Sequence, residues 1–309
     1  MTQLLFILLN VSLPILLLIA SGYIFQKIFK TDVRSFTKLL IYVLTPVVIF
    51  VKILDVEFTG ELFLLVGVFA LLMQAAMYLI SIVYCRLLRY TKSKTNAAIN
   101  ALILFNTGNY GIPLIDLAFS GSPLAATSQI FIIIMQNITT NTLGVYLAGS
   151  GSGNAKNALK SIVKMPVIYI MIAGVIVNLL HVQIPKTIMI PLDYMADGFF
   201  AMALIGIGIQ LAEVPFEKGG FKKVLGISLL KLISAPVLGF LFVLLLGIKG
   251  MLAQALIIGI STPTAINSAL LATEFNNEPA FAAQIVVVTT VLCTLTLPPI
   301  IYLAGQYFV

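Results

Sequence analysis

Asn106-Thr-Gly-Asn-Tyr-Gly-Ile-Pro-Leu114 is polar, glycine-rich and broken by proline, yet it lies inside an apolar run, residues 96–118, long enough to cross a membrane. In hydrocarbon every unpaired backbone N–H or C=O is expensive, so a spanning segment is ordinarily an unbroken helix. A span that interrupts itself must bury the freed groups in protein or line a wet cavity with them. Secondary transporters build their binding sites in this way, near the bilayer midplane.

The rest of the chain fits a membrane setting. Of its 309 residues, 60% are hydrophobic and 9% charged, against about 25% charged in a soluble domain. Apolar runs of roughly 20 residues recur from end to end. They fall at residues 3–25, 35–54, 61–85, 96–118, 122–148, 163–180, 187–211, 224–246, 251–272 and 281–304. The expected fold is an all-α polytopic membrane protein with about ten transmembrane helices.

The net charge of +7 reads as topology, and no nucleic-acid partner is expected. Lys27, Lys30, Arg34 and Lys38 follow the first run; Arg86, Arg89, Lys92 and Lys94 follow the third. Lys156, Lys160 and Lys164 follow the fifth, and Lys218, Lys222 and Lys223 the seventh. Positive loops stay cytoplasmic, which predicts a multi-pass protein of the cytoplasmic membrane with both termini outside. The last inner loop is the exception, holding Glu274 and Glu278 without Lys or Arg. Met1–Leu9 has no positive n-region, so the first run reads as a retained span. Cys85 and Cys293 are isolated, His181 stands alone, and neither a disulfide framework, a metal nor a cofactor is implied.

Leu147–Lys160 is the one flexible linker, Gly- and Ser-rich at its start. It divides the chain into residues 1–148, a linker at 149–162, and residues 163–309, with five runs on each side. An odd number turns the second half over, the arithmetic of an inverted-topology repeat. Such a repeat predicts a second broken span at the equivalent place. The ninth run holds it, Gly259-Ile-Ser-Thr-Pro-Thr-Ala-Ile-Asn-Ser268. The following runs match as well, with Gln136-Asn-Ile-Thr-Thr-Asn-Thr142 in the fifth and Thr289-Thr-Val-Leu-Cys-Thr-Leu-Thr296 in the tenth. Isolated prolines at 14, 46, 166 and 236 read as ordinary helix kinks.

Half-helices beginning near Pro113 and Pro263 would present orphan N–H groups, each end carrying about half a positive charge. Asn106, Asn109, Gln136, Asn137 and Asn267 add amides, and Tyr110 and Thr262 add hydroxyls. Donors without a buried formal charge suit a small organic anion. Lys231 is expected to snorkel to the cytoplasmic face, and no carboxylate falls at the midplane as a proton relay. The expected substrate-binding set is Asn106, Asn109, Tyr110, Pro113, Gln136, Asn137, Thr262, Pro263 and Asn267.

Phe105-Asn-Thr-Gly-Asn-Tyr-Gly-Ile-Pro-Leu114 resembles the fourth-span signature of the auxin efflux carrier family. Ser261-Thr-Pro-Thr-Ala265 through Ala272-Thr-Glu-Phe-Asn-Asn-Glu-Pro279 resembles its ninth and tenth spans. The resemblance covers nearly the whole chain. It implies two inverted five-helix repeats with crossed, broken fourth and ninth helices, like sodium/proton antiporters and bile-acid symporters, and an elevator-type motion. It also implies that Asn106, Pro113 and Pro263 are crossover residues and that Gln136 lies beside the substrate. Family substrates include indole-3-acetate in plants and malate or malonate in bacteria. A homodimer is suggested by the family and by Gly206 and Gly208 in the seventh run, residues that equally serve packing within one protomer.

The expected function is therefore secondary transport of a mono- or dicarboxylate, with membrane lipid as surroundings. A gated anion channel and a sodium-coupled organic-anion symporter are the alternatives. An enzyme is not expected: one His and two separated Cys provide no nucleophile–base pair.

Overall fold

A computed structural model describes residues 3–55, 59–149, 166–214 and 220–308, without the side chains of 166–168. The linker expected at 149–162 lies outside these residues beyond Gly149, as do Glu57, Lys156, Lys160, Lys164 and Lys218. The described residues are almost wholly helical. We number the helices α1 (Gln3–Phe29), α2 (Val33–Leu54), α3 (Gly60–Leu87), α4 (Lys92–Ile103), α5 (Ile112–Ala118) and α6 (Pro123–Ala148). The second half supplies α7 (Pro166–Leu179), α8 (Lys186–Ala212), α9 (Phe221–Leu245), α10 (Gly250–Ile260), α11 (Ile266–Glu274) and α12 (Pro279–Tyr307).

Seven of these, α1, α2, α3, α6, α8, α9 and α12, are long and apolar enough to cross a membrane; Tyr169–Leu179 and α10 are apolar but shorter. The run at 96–118 is not one helix but two, because the Asn106–Gly111 segment separates α4 from α5. The run at 251–272 divides likewise into α10 and α11.

Local chemistry sets the helix ends. Asp32 caps α2 by accepting from the Arg34 and Ser35 amides, and Thr59 and Thr91 cap α3 and α4 by accepting from Leu62 and Lys94. The Ser35 hydroxyl and the Arg34 amide hold the Asp32 carboxyl below its ordinary range. The expected kinks take a specific form. Wide π-turns at Leu8–Ser12 and Leu40–Leu44 precede Pro14 and Pro46, giving the ring room where it would meet the carbonyl of the turn before. Pro236 lies inside α9, and Pro166 is the first described residue of α7.

Large apolar side chains such as Leu17, Leu64, Leu71, Leu79, Val237 and Leu295 are exposed. In water such a surface would aggregate; in a bilayer it faces lipid tails. Cohesion then rests on close packing and internal polar contacts. The helices pack in two groups. One contains α1, α2, α7 and α8; the other contains α3 to α6 and α9 to α12. Each half of the chain contributes to both.

The first group is held by backbone-to-backbone contact. A Cβ on Gly22 of α1 would sit 2.0 Å from the Ile205 carbonyl oxygen, and one on Gly208 of α8 would sit 1.9 Å from that of Ile19. A Cβ on Gly206 would press on Leu40 and Phe36 of α2. Gly206 and Gly208 are thus occupied within the protomer. Lys27 donates to the Ala212 carbonyl and Gln26 to Glu213 at one end of this group. At the opposite end, the Lys52 ammonium of α2 pairs with Asp116 of α5 at 3.0 Å, tying the two groups together.

Candidate functional site at the helix crossover

A helix leaves its last carbonyls without partners, and α4 ends in the interior, where water cannot supply them. Each is satisfied by a named group. Asn100 O accepts from the Leu104 amide. Ala101 O accepts from the Thr264 hydroxyl at 2.9 Å and the Lys231 ammonium at 3.0 Å. Leu102 O accepts from Lys231 at 2.9 Å, and Ile103 O from the Gln136 amide at 3.1 Å. Leu104 O accepts from Lys231 at 3.1 Å and from the Ala265 amide.

Beyond α4 the chain is extended and meets the second interruption. Phe105 and Thr264 form an antiparallel bridge, with Asn106 N donating to Pro263 O at 2.8 Å and Ala265 N to Leu104 O at 2.9 Å. Phe105 N donates to the Gln136 carbonyl oxygen and Thr264 N to the Thr289 hydroxyl. The two broken helices therefore cross as a two-residue ribbon whose strands run in opposite directions. Gln136 grips one side through both of its amide atoms.

Glycines let a second glutamine between the breaks. A Cβ on Gly259 would fall 2.0 Å from Gln129 Nε2, and one on Gly111 would lie 3.4 Å from Gln129 Oε1. Gln129 is fully buried and donates to the Ala255 carbonyl at 3.0 Å. Gln129 and Gln136 are seven residues apart on α6, on one helical face directed at the crossover.

The second half of each broken span begins elsewhere than expected. The Thr107–Gly111 π-turn continues into α5, and Gly111 N donates to Asn106 O, so this helix starts at Thr107 rather than near Pro113. Pro113 lies in the first turn of α5. Pro263 belongs to the extended ribbon, and α11 starts three residues later at Ile266. The physical reason is that the Pro263 carbonyl is taken by Asn106, which keeps the segment extended through Ala265.

Asn106, Gln136, Thr262 and Pro263 come together here. The buried Asn106 Nδ2 has no protein acceptor among the described residues, and the Thr262 hydroxyl donates back to Gly259 O. Tyr110 is fully buried beside Cys293 of α12. Asn109 and Asn137 are half-buried, and Asn267 is exposed on α11; among the described residues no side-chain hydrogen bond joins these three to the ribbon. The Thr107–Gly111 turn also packs on α8, so the crossover borders the first helix group. An open cavity of about 650 Å3 lies away from it, among Gln26, Lys30, Arg34 and Glu213.

Lys231 overturns one expectation. It stands about 15 Å along α9 from Phe221 at 1.5 Å per residue, roughly half the hydrocarbon thickness. It does not snorkel: the side chain is 0% exposed, with Nζ 4.0 Å from the Phe105 ring centre. Three carbonyl acceptors at the end of α4 hold it inward more strongly than the distant interface can. The interior therefore does contain a basic side chain. The expected substrate-binding set leaves out Lys231, Gln129, Thr264 and Thr289, which the structure places at the crossover. A single Lys in an apolar run and a Gln pair at seven-residue spacing are the signals the chain offers.

Interrupted helices that cross inside an all-helical bundle with an apolar exterior define a membrane transporter. The model of the membrane transport protein family matches residues 7–301, and the chain belongs to this family, that of the auxin efflux carriers. It is 24% identical over 299 residues to an uncharacterised transporter of Methanocaldococcus jannaschii, covering 93% of this chain and 96% of the relative. It is 23% identical over 292 residues to an uncharacterised transporter of Methanothermobacter thermautotrophicus, covering 93% and 95%.

Proposed function

We propose that this transporter moves a small organic anion, a mono- or dicarboxylate of malate or malonate type, by alternating access. The observation that carries the reading is the crossover itself. It offers a buried, unpaired Asn106 amide donor and the amide end of the Thr107 helix, with the Lys231 cation close behind. All three Lys231 N–H groups are engaged, so that cation acts on a substrate through its field rather than by contact.

The antiparallel ribbon and the opposite sense of the two interruptions support an inverted repeat of two five-helix halves. The two packing groups support an elevator motion, with α1, α2, α7 and α8 as the fixed panel and the crossover group moving against it. The Lys52–Asp116 pair would be one contact broken in that motion. Placement in the cytoplasmic membrane with both termini outside follows from the positive loops.

Proteoliposome uptake of labelled malate, malonate, succinate, lactate and indole-3-acetate tests the proposal. Saturable uptake of at least one carboxylate is expected. A current that rises with concentration without saturating would mean a gated anion channel instead.

A further inference from the structure

The Lys231 ammonium sits in a cage of backbone carbonyls. Ala101, Leu102 and Leu104 offer oxygens at 3.0, 2.9 and 3.1 Å, with the Phe105 ring face at 4.0 Å on another side. Carbonyls gathered where a helix unwinds are the usual ligands of a monovalent metal cation in a transporter. Here they meet three N–H donors, the full number an ammonium carries and one more than a neutral amine. The end of α4 concentrates partial negative charge at the same place. No carboxylate is paired with Lys231 among the ion pairs of the described residues.

We propose that this cage is a monovalent-cation site which the chain fills with its own side chain. Lys231 is a positioning residue: it holds α4 and the ribbon in register without touching the substrate. A tethered cation never has to be captured or released, so the step that a coupling sodium would perform is absent and transport proceeds without sodium. This last consequence rests on the transport function proposed above; the existence of the cage does not.

Thermal unfolding of the purified protein in choline, sodium, potassium and ethylammonium chloride separates the two. The wild type is expected to melt within about 1 °C in all four salts, since it binds none of them at this site. Lys231→Ala opens the cage. It is expected to melt about 5 °C or more lower in choline and to recover at least half of that loss, saturably, in sodium or ethylammonium. A Lys231→Ala protein as stable as the wild type in choline, or one that no cation restores, overturns the proposal.

If Lys231→Ala yields no folded protein, Lys231→Met and Lys231→Arg are compared in heated native membranes. Retained stability in Arg with loss in Met supports a required cation, and a Met variant equal to the wild type overturns it. In proteoliposomes, wild-type uptake is expected to be unchanged when choline replaces sodium, and a sodium requirement contradicts the proposal. If the wild type takes up no carboxylate at all, the transport reading fails, while the melting comparison still decides the cage.

Discussion

Gly208→Ala is expected to destabilise the protein by about 3 kcal/mol or more, at the upper end of the range for overpacking. The added Cβ would lie 1.9 Å from the Ile19 carbonyl oxygen, and 2.7 Å from the Tyr23 amide nitrogen. Both are backbone atoms of α1, so no side-chain rotation relieves the clash. The helices must separate, and in lipid close approach is itself the source of cohesion. Gly198 lies on the same helix, and a methyl group added there would meet nothing within 4 Å. Gly198→Ala is therefore expected to be neutral or stabilising by about 0.5–1 kcal/mol, because alanine is the better helix former. Urea or thermal unfolding of the pair in one detergent checks this; equal stability of the two variants would contradict the close α1–α8 contact.

Gln136→Leu is the second large effect. The carboxamide satisfies Ile103 O and Phe105 N at once, and Gln136 is buried at 6% exposure. Leucine fills a similar volume and leaves both backbone groups unpaired, an expected loss of about 2 kcal/mol or more. Asn137→Ala, one residue on and half-buried, removes a side chain with no hydrogen bond to the ribbon and is expected to leave stability unchanged. A Gln136→Leu protein that keeps wild-type stability and loses only ligand affinity would place Gln136 with the substrate rather than with the backbone.

Much of this architecture is legible in the chain. Asn106–Leu114 and Gly259–Ser268 announce two interruptions because glycine, proline and amides are costly in a lipid-facing helix. They meet as an antiparallel ribbon through Phe105 and Thr264, a pairing that the two segments do not announce in the sequence. The helix starts are not legible. Proline favours a first turn, but Pro113 follows a π-turn that already starts its helix at Thr107, and the Pro263 carbonyl is drawn into the ribbon by Asn106 from 157 residues away in sequence (263 less 106). The snorkelling expected of Lys231 fails for a similar reason. Its distance along α9 leaves that course open, and only the three-dimensional position of the α4 carbonyls decides between the interface and the interior. Gly206 and Gly208 could serve either a partner or the protomer, and α2 side chains and the α1 backbone claim them.

The carboxylate site proposed at the crossover depends on Asn106, whose Nδ2 is buried and donates to no protein group among the described residues. Removing it should cost ligand contacts without costing internal ones. The decisive measurement is equilibrium binding of the best carboxylate to detergent-purified wild type and Asn106→Ala, with melting temperatures recorded alongside. We predict affinity at least about tenfold weaker in the variant, the equivalent of one charge-assisted hydrogen bond at about 1.4 kcal/mol, with an unchanged melting temperature. Wild-type affinity in Asn106→Ala would contradict a substrate site at the crossing of the two broken helices.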